Sequence, residues 1–258
     1  MSRIICLPID EGVYFNDNDL NVVQWLRNAF PKGVTDERSI KDVKSHDLQS
    51  YKRVHLFAGI GGWELALNLA GWKADRSVWT GSCPCQPFSS ATQGSGERDK
   101  RHLWPEMRRL IAKHLPSTIF GEQVASKAGR VWFSRVRADL ETLGYAVGAA
   151  DLCAASIGAP HIRQRIFFVA DTTLYARGFN QSWRNKEDRI IDWWNRKELD
   201  HWKTTNYGYG ADGKKRRIEP GIKPMVNGVS KRMVKLRGYG NAIVPQLACL
   251  FIQSYLDI

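Results

Sequence analysis

The spacing of apolar positions along the chain predicts strands and helices in alternation. Residues 12–18 (Gly-Val-Tyr-Phe-Asn-Asp-Asn) read as a strand running into a polar turn. Asp19 can cap the helix that follows, where Val22, Val23, Leu26, Ala29 and Phe30 recur at helical spacing and Pro31 stops the pattern. Residues 53–58 (Arg-Val-His-Leu-Phe-Ala) form the next strand. A glycine-rich turn and a helix from about Trp63 to Ala70 follow, with Gly71 placed to end it. Residues 76–81 are a short strand, and a loop rich in Cys, Pro, Ser and Gly runs to about residue 102. Pro105 suits the first turn of a helix carrying Met107, Leu110, Ile111 and Leu115. Residues 117–121 are a strand, and Val131, Val136, Leu140 and Leu143 mark a helix. Residues 145–154 and 165–170 are further strands, and a last helix covers roughly residues 244–256. Residues 172–237 lack clear periodicity. Such alternation predicts an α/β fold built on a mostly parallel, doubly wound sheet with helices on both faces.

Composition narrows the class. The 258 residues are 43% apolar and 25% charged, as in an ordinary globular protein. The longest apolar runs fall far short of a bilayer span, and no basic-then-apolar signal opens the sequence, so the cytoplasm is the expected location. The five cysteines are odd in number and irregularly spaced, which disfavours a disulfide framework. Cys83-Pro-Cys85 has no second close pair beside it, so structural zinc is not expected. The net charge of +12 is concentrated: residues 172–237 hold sixteen Lys and Arg against seven Asp and Glu. The same stretch carries Trp183, Trp193, Trp194 and Trp202. Basic groups neutralise phosphates and aromatic rings stack on bases, so the coincidence favours nucleic-acid contact over a solvated basic surface.

Four short segments hold the candidate chemistry. Phe57-Ala58-Gly59-Ile60-Gly61-Gly62 follows a strand and opens a helix, where glycines let a ligand approach the free amides of the helix start. Glycine at such a turn also serves packing alone. Gly81-Ser82-Cys83-Pro84-Cys85-Gln86-Pro87-Phe88-Ser89 is a stiff loop presenting a thiol. Cys83 reads as a buried, inert thiol. Glu122, in Gly121-Glu122-Gln123-Val124, stands at the end of a predicted strand, where open α/β sheets bind ligands. If partly buried it can keep a proton and donate it; otherwise it is a surface carboxylate. In Pro160-His161-Ile162-Arg163-Gln164-Arg165, the two arginines alternate and share one face of a strand, suited to an anion or carboxylate or simply solvated.

Together these segments resemble the cytosine 5-methyltransferase family. Phe57–Gly62 is similar to its first cofactor motif, and Pro84-Cys85-Gln86-Pro87-Phe88-Ser89 to its nucleophile loop. Glu122-Gln123-Val124 stands where the family has Glu-Asn-Val, and Arg163-Gln164-Arg165 resembles the end of its Gln-x-Arg-x-Arg motif. Gly240-Asn241-Ala242-Ile243-Val244-Pro245 resembles its closing Gly-Asn-x-Val-x-Pro motif. The order is the family's. The resemblance implies methyl transfer from S-adenosylmethionine to carbon 5 of cytosine in double-stranded DNA, on a base flipped out of the helix. Cys85 would add to carbon 6, Glu122 would protonate ring nitrogen 3, and Arg165, with Arg163 nearby, would orient Glu122 and the base. Phe57, Gly59, Gly61, Gly62, Pro84, Leu103 and Asn241 would line the cofactor. The implied fold is that of the S-adenosylmethionine-dependent methyltransferases. Residues 1–171 would form the catalytic domain, 172–237 a small basic recognition lobe, and 238–258 a return to the catalytic domain. A monomer is expected, compact like phage-encoded members, with a restriction–modification setting. The closest alternatives are an RNA cytosine methyltransferase, an enzyme using an altered sulfonium donor, and a non-catalytic nucleic-acid-binding relative. Pro-Phe-Ser after Gln86 resembles the DNA-directed branch.

The sequence departs from the family in its spacing. Only 22 residues separate Gly62 from Cys85, too few for the two strands whose acidic residues contact the ribose and the adenine. The N-terminal segment resembles those units instead, which implies a permuted order. Asp17 or Asp19 would hold the ribose, and Asp36 the adenine amine. Gln123 replaces the usual Asn, and His161 the usual Gln.

Overall fold

The computed structural model describes residues 12–84, 103–159, 161–173, 206–209, 215–218 and 242–257. Seven strands form one sheet: β1 (Val13–Asn16), β2 (Val34–Asp36), β3 (Arg53–Leu56), β4 (Val78–Gly81), β5 (Thr118–Val124), β6 (Ala146–Cys153) and β7 (Gln164–Asp171). Their spatial order is β2-β1-β3-β4-β5-β7-β6. The first five run parallel, and β7 lies antiparallel between β5 and β6. The mostly parallel α/β sheet read from the periodicity is therefore present. Its order puts β1 directly beside the glycine strand β3, with β2 beyond it, as a permuted chain requires.

Among the described residues five helices cover this sheet: α1 (Leu20–Ala29), α2 (Gly62–Leu69), α3 (Trp104–His114), α4 (Lys127–Thr142) and α5 (Pro245–Leu256). Helix α1 starts where expected, with the Asp19 side chain accepting from Asn21 N. Val23 and Leu26 form its buried stripe. Proline occupies the first turn of α3 and of α5, where its missing N–H costs nothing. Ser126 caps α4, and Gly129 lets that helix approach β5 closely: a Cβ there would lie 2.0 Å from the Val124 carbonyl oxygen.

Side chains alternate between the two sheet faces. Phe15, Phe120, Phe167 and Val169 lie on one face, under α1, α2 and α5. Tyr14, Val54, Leu56, Trp79, Ile119 and Phe168 lie on the other, under α3 and α4. Helices α1 and α2 thus share a face, although β1→β2 and β3→β4 step in opposite directions across the sheet. Those two crossovers must differ in hand. The α3 and α4 connections step the same way as α2 but on the opposite face, so they agree with α1. Parallel crossovers are right-handed in about 98% of cases, so β3–α2–β4 is the left-handed exception.

Three expectations change. Strand β5 continues to Val124, so Glu122 lies within the strand, because β7 pairs alongside it as far as Val124↔Arg165. Strand β7 begins at Gln164, which leaves Arg163 one residue before it. The stretch without periodicity contains an antiparallel pair, β8 (Asn206–Tyr209) with β9 (Lys215–Ile218), and Lys215, Arg216 and Arg217 lie in β9. No helix among the described residues is long and apolar enough to cross a membrane.

Candidate active site

The sheet order puts the expected ligand crevice at the carboxyl ends of β3 and β4. The chain leaves β3 toward α2 on one face and leaves β4 toward α3 on the other, and ligands of open α/β sheets bind at such a divergence. The glycine turn opens on the β3 side. Its backbone is left-handed at Phe57 (φ 53°), a conformation costly for a residue with a side chain. Gly59 is also left-handed (φ 54°), and among the described residues a Cβ there would meet nothing within 4 Å. Gly61 and Gly62 have a different reason to be glycine. A Cβ on Gly61 would lie 2.1 Å from the Phe30 ring, and one on Gly62 2.8 Å from Ile243. Gly61 is the N-cap of α2, and no side chain among the described residues caps that end. Open space beside Gly59 and a helix start with no side-chain cap among the described residues fit a bound cofactor.

The three acidic candidates at the N-terminal strands sit differently. Asp19 caps α1. Asp17 faces the glycine turn: its Oδ2 accepts from Gly59 N at 3.0 Å and its Oδ1 from Asp19 N at 3.0 Å. Burial raises the Asp17 pKa, and those amides only partly offset it. The carboxylate of Asp36, at the end of β2, is held by Arg38, through Nη2 at 2.6 Å, and by Tyr14 Oη at 2.5 Å. Burial pushes Asp36 up, but Arg38 and Tyr14 outweigh it and keep the group below the ordinary carboxylate range.

Strand β4 leads into the thiol loop. Ser82 Oγ accepts from Trp63 Nε1 at 3.1 Å. Cys83 is buried against Met107, and burial alone pushes its thiol far up, which suits the inert role. Pro84 is exposed, and Leu103 is the N-cap of α3, half-buried against the core. Cys85 and Asn241 lie outside the described residues. Gln123, the substituted amide, is buried, and its Nε2 donates to the Cys83 carbonyl at 3.4 Å.

Glu122 is 7% exposed, next to β4 in the sheet. Burial raises its pKa; the charges of Arg165 and Arg163 pull it back only in part. Arg165 Nε stands 2.7 Å from Glu122 Oε1, placed as an ion pair and not aligned as a hydrogen bond. Arg163 is itself half-buried, and burial beside Arg165 lowers its pKa. His161 and Ile162 are exposed. The arrangement can hold a proton on a carboxyl group and present it to a polar ring.

Sequence reasoning missed a buried polar group behind the glycine turn. Arg53, His55 and Glu64 meet there. The available signal was the polar pair Arg53 and His55 at alternate positions of a strand, with Glu64 inside an otherwise apolar helix start.

Residues 73–218, more than half of the chain, match the family model described as C-5 cytosine-specific DNA methylase. The match begins after the glycine turn and ends with β9. The Type II methyltransferase M.AplI of Arthrospira platensis is 30% identical over 166 residues, covering 50% of this chain and 48% of its own. The Type II methyltransferase M.HhaI of Haemophilus parahaemolyticus is 25% identical over 167 residues, covering 50% of this chain and 51% of its own. The chain thus spans about half the length of the relatives it matches. Among solved structures, that of S. pombe Dnmt2 methyltransferase has a TM-score of 0.48 and 18% identity, over 74% of this chain and 51% of its own. With its family model matched over most of the sheet and the thiol loop, the chain belongs to the C-5 cytosine-specific DNA methylase family.

Proposed function

We propose that this chain transfers a methyl group from S-adenosylmethionine to carbon 5 of cytosine in DNA, with Cys85 as nucleophile. One observation carries the reading. Glu122 is a buried carboxyl with a raised pKa, beside two arginines, in the strand next to the one that leads to Cys85. Carbon 5 of cytosine is too weakly nucleophilic to take a methyl group unaided. The Cys85 thiolate adds its electron pair to carbon 6. Glu122 gives its proton to ring nitrogen 3, which accepts the displaced electrons. Carbon 5 is then the nucleophilic end of an enamine. The bound cofactor supplies an electrophilic methyl group on sulfur. Carbon 5 then gives its proton to solvent, the electrons of that bond restore the ring double bond and expel the Cys85 thiolate, and nitrogen 3 returns its proton to Glu122. Arg165 keeps Glu122 oriented, with Arg163 beside it. The thiol reaches carbon 6 only if the base leaves the stack.

For the cofactor, the open space at Gly59 and the uncapped start of α2 suit the methionine end, with Phe57, Gly61, Gly62, Pro84, Leu103 and Asn241 around it. Asp17 is favoured over Asp19 for the ribose, because Asp19 is committed to capping α1 whereas Asp17 turns toward Gly59. Asp36, one strand further out, would take the adenine amine by sharing an oxygen that Arg38 or Tyr14 now holds. Residues 172–237, basic and rich in tryptophan, would bring duplex DNA to the crevice. The relatives' Type II names suggest a restriction–modification setting, and the protein would act as a monomer. The test is incubation with duplex DNA and S-adenosylmethionine, then mass spectrometry of the digested bases. 5-Methylcytosine from the wild type but not from Cys85→Ala is expected. Product from the variant, or methylation of tRNA but not DNA, would overturn the reading.

A further inference from the structure

The buried group behind the glycine turn joins three elements of the site. Glu64 is 0% exposed, His55 1%, Arg53 2% and Thr80 0%. Arg53 Nη1 donates to Glu64 Oε1 at 2.7 Å, and Asn68 Nδ2 donates to the same oxygen at 3.0 Å. Glu64 Oε2 lies 2.9 Å from His55 Nε2, and His55 Nδ1 lies 2.8 Å from Thr80 Oγ1. Arg53 Nη2 donates to the Trp72 carbonyl at 3.0 Å. Burial raises the Glu64 carboxyl, but His55 and Arg53 overcome this and hold it below its ordinary range, so the group is an anion.

Such a cluster is a poor choice for stability alone. Burying charge incurs a desolvation penalty that apolar residues of the same volume avoid. Its value lies in direction, because a satisfied polar chain holds its members in one geometry. His55 is on β3, which runs into the glycine turn. Glu64 is in the first turn of α2, at the end open to the cofactor. Thr80 is on β4, five residues before Cys85. A second tie, from Trp63 to Ser82, joins the same helix start to the same strand end. None of these side chains faces the reacting base in the chemistry above.

We propose that the Glu64–His55–Thr80 chain is a positioning device, fixing the distance between the glycine turn and the strand that delivers Cys85. This rests on the methyltransferase reading. His55 then sets how the thiol loop stands relative to the methyl donor, and Thr80 is its contact to the nucleophile side. Cutting the chain at Thr80 leaves the turn and its helix anchored through Glu64 and Arg53, and leaves the β3–β4 ladder and the Trp63–Ser82 tie in place, but removes the side-chain link that fixes the orientation of β4 against His55. Cofactor affinity is kept and turnover is lost.

The experiment compares wild type, Thr80→Val and Thr80→Ser. Valine keeps the shape on the strand and removes only the hydroxyl. Turnover at saturating DNA and S-adenosylmethionine should fall about ten- to a hundredfold in Thr80→Val, the range of an ångström-scale misplacement. The dissociation constant for S-adenosylmethionine, by calorimetry, should stay within about twofold, a free-energy change of only ~0.4 kcal/mol. Thr80→Ser should restore most of the turnover. Wild-type turnover in Thr80→Val overturns the proposal. So does a loss matched by lost cofactor affinity or not rescued by serine, either of which marks a merely structural role. A wild type that forms no 5-methylcytosine refutes the methyltransferase reading instead, and the positional role falls with it.

Discussion

Arg165 reaches Glu122 diagonally across the antiparallel pair β5–β7, from its place opposite Val124, with Nε 2.7 Å from the carboxyl oxygen. Opposed residues of an antiparallel pair point to one face, and Glu122 lies two positions from Val124 on that face. The pairing register therefore fixes the contact. It leaves the carboxyl buried beside positive charge, with no donor among the described residues aligned on Oε1, a state in which the group can hold a proton and hand it over.

Replacing Glu122 by Gln should separate activity from stability. Turnover should fall by about a hundredfold or more, as when a general acid is removed. Stability should change the other way at high pH. The folded-state pKa of Glu122 is raised, so between the ordinary carboxyl value and the raised one the native state binds more protons than the unfolded state. Its contribution is full at low pH and is lost as pH rises through the folded value. Thermal melts should show Glu122→Gln gaining on the wild type as pH increases. A gain that shrinks with pH would contradict the burial.

Asp17 and Asp19 should part company. Asp17→Asn should weaken S-adenosylmethionine binding by about tenfold, the loss of one charge-assisted hydrogen bond. Asp19→Ala should cost about 1 kcal/mol of stability as a lost helix cap and leave cofactor affinity near wild type. Calorimetry and denaturant melts on the two variants distinguish them. A cofactor defect in Asp19→Ala and none in Asp17→Asn would reverse the assignment.

The glycines should also differ. At Gly59, alanine has room but an unfavourable φ, so Gly59→Ala should fold, lose about 1 kcal/mol, and bind cofactor poorly. Gly61→Ala adds a collision with the Phe30 ring and should lose more stability than Gly59→Ala. Equal melting temperatures for the two variants would contradict this packing.

Strong local signals made much of this legible in the sequence. Asp19 and the Val23–Leu26 stripe announced α1, and Phe57–Gly62 announced a strand–turn–helix. Glu122 and Arg165 were named from their motifs. The reason they meet was not visible, because it depends on β7 running antiparallel to β5, a pairing between distant segments. Strand β2 was too short, at three residues, to show a period. The contact that distinguishes Asp17 from Asp19, with the Gly59 amide, joins positions 42 residues apart. His55 and Glu64 were hidden for the opposite reason. Each looks like an ordinary polar residue until the β3–α2–β4 connection folds them together.

The most direct test of the central claim uses duplex DNA containing 5-fluorocytosine, whose fluorine cannot leave as a proton does. With S-adenosylmethionine present, attack by Cys85 and methyl transfer should stall before release. A denaturation-stable protein–DNA complex is expected, carrying the added methyl group and mapping to the Cys85 peptide, absent from Cys85→Ala and from reactions without cofactor. Active methylation with no trapped complex, or a complex mapping to another residue, would contradict it.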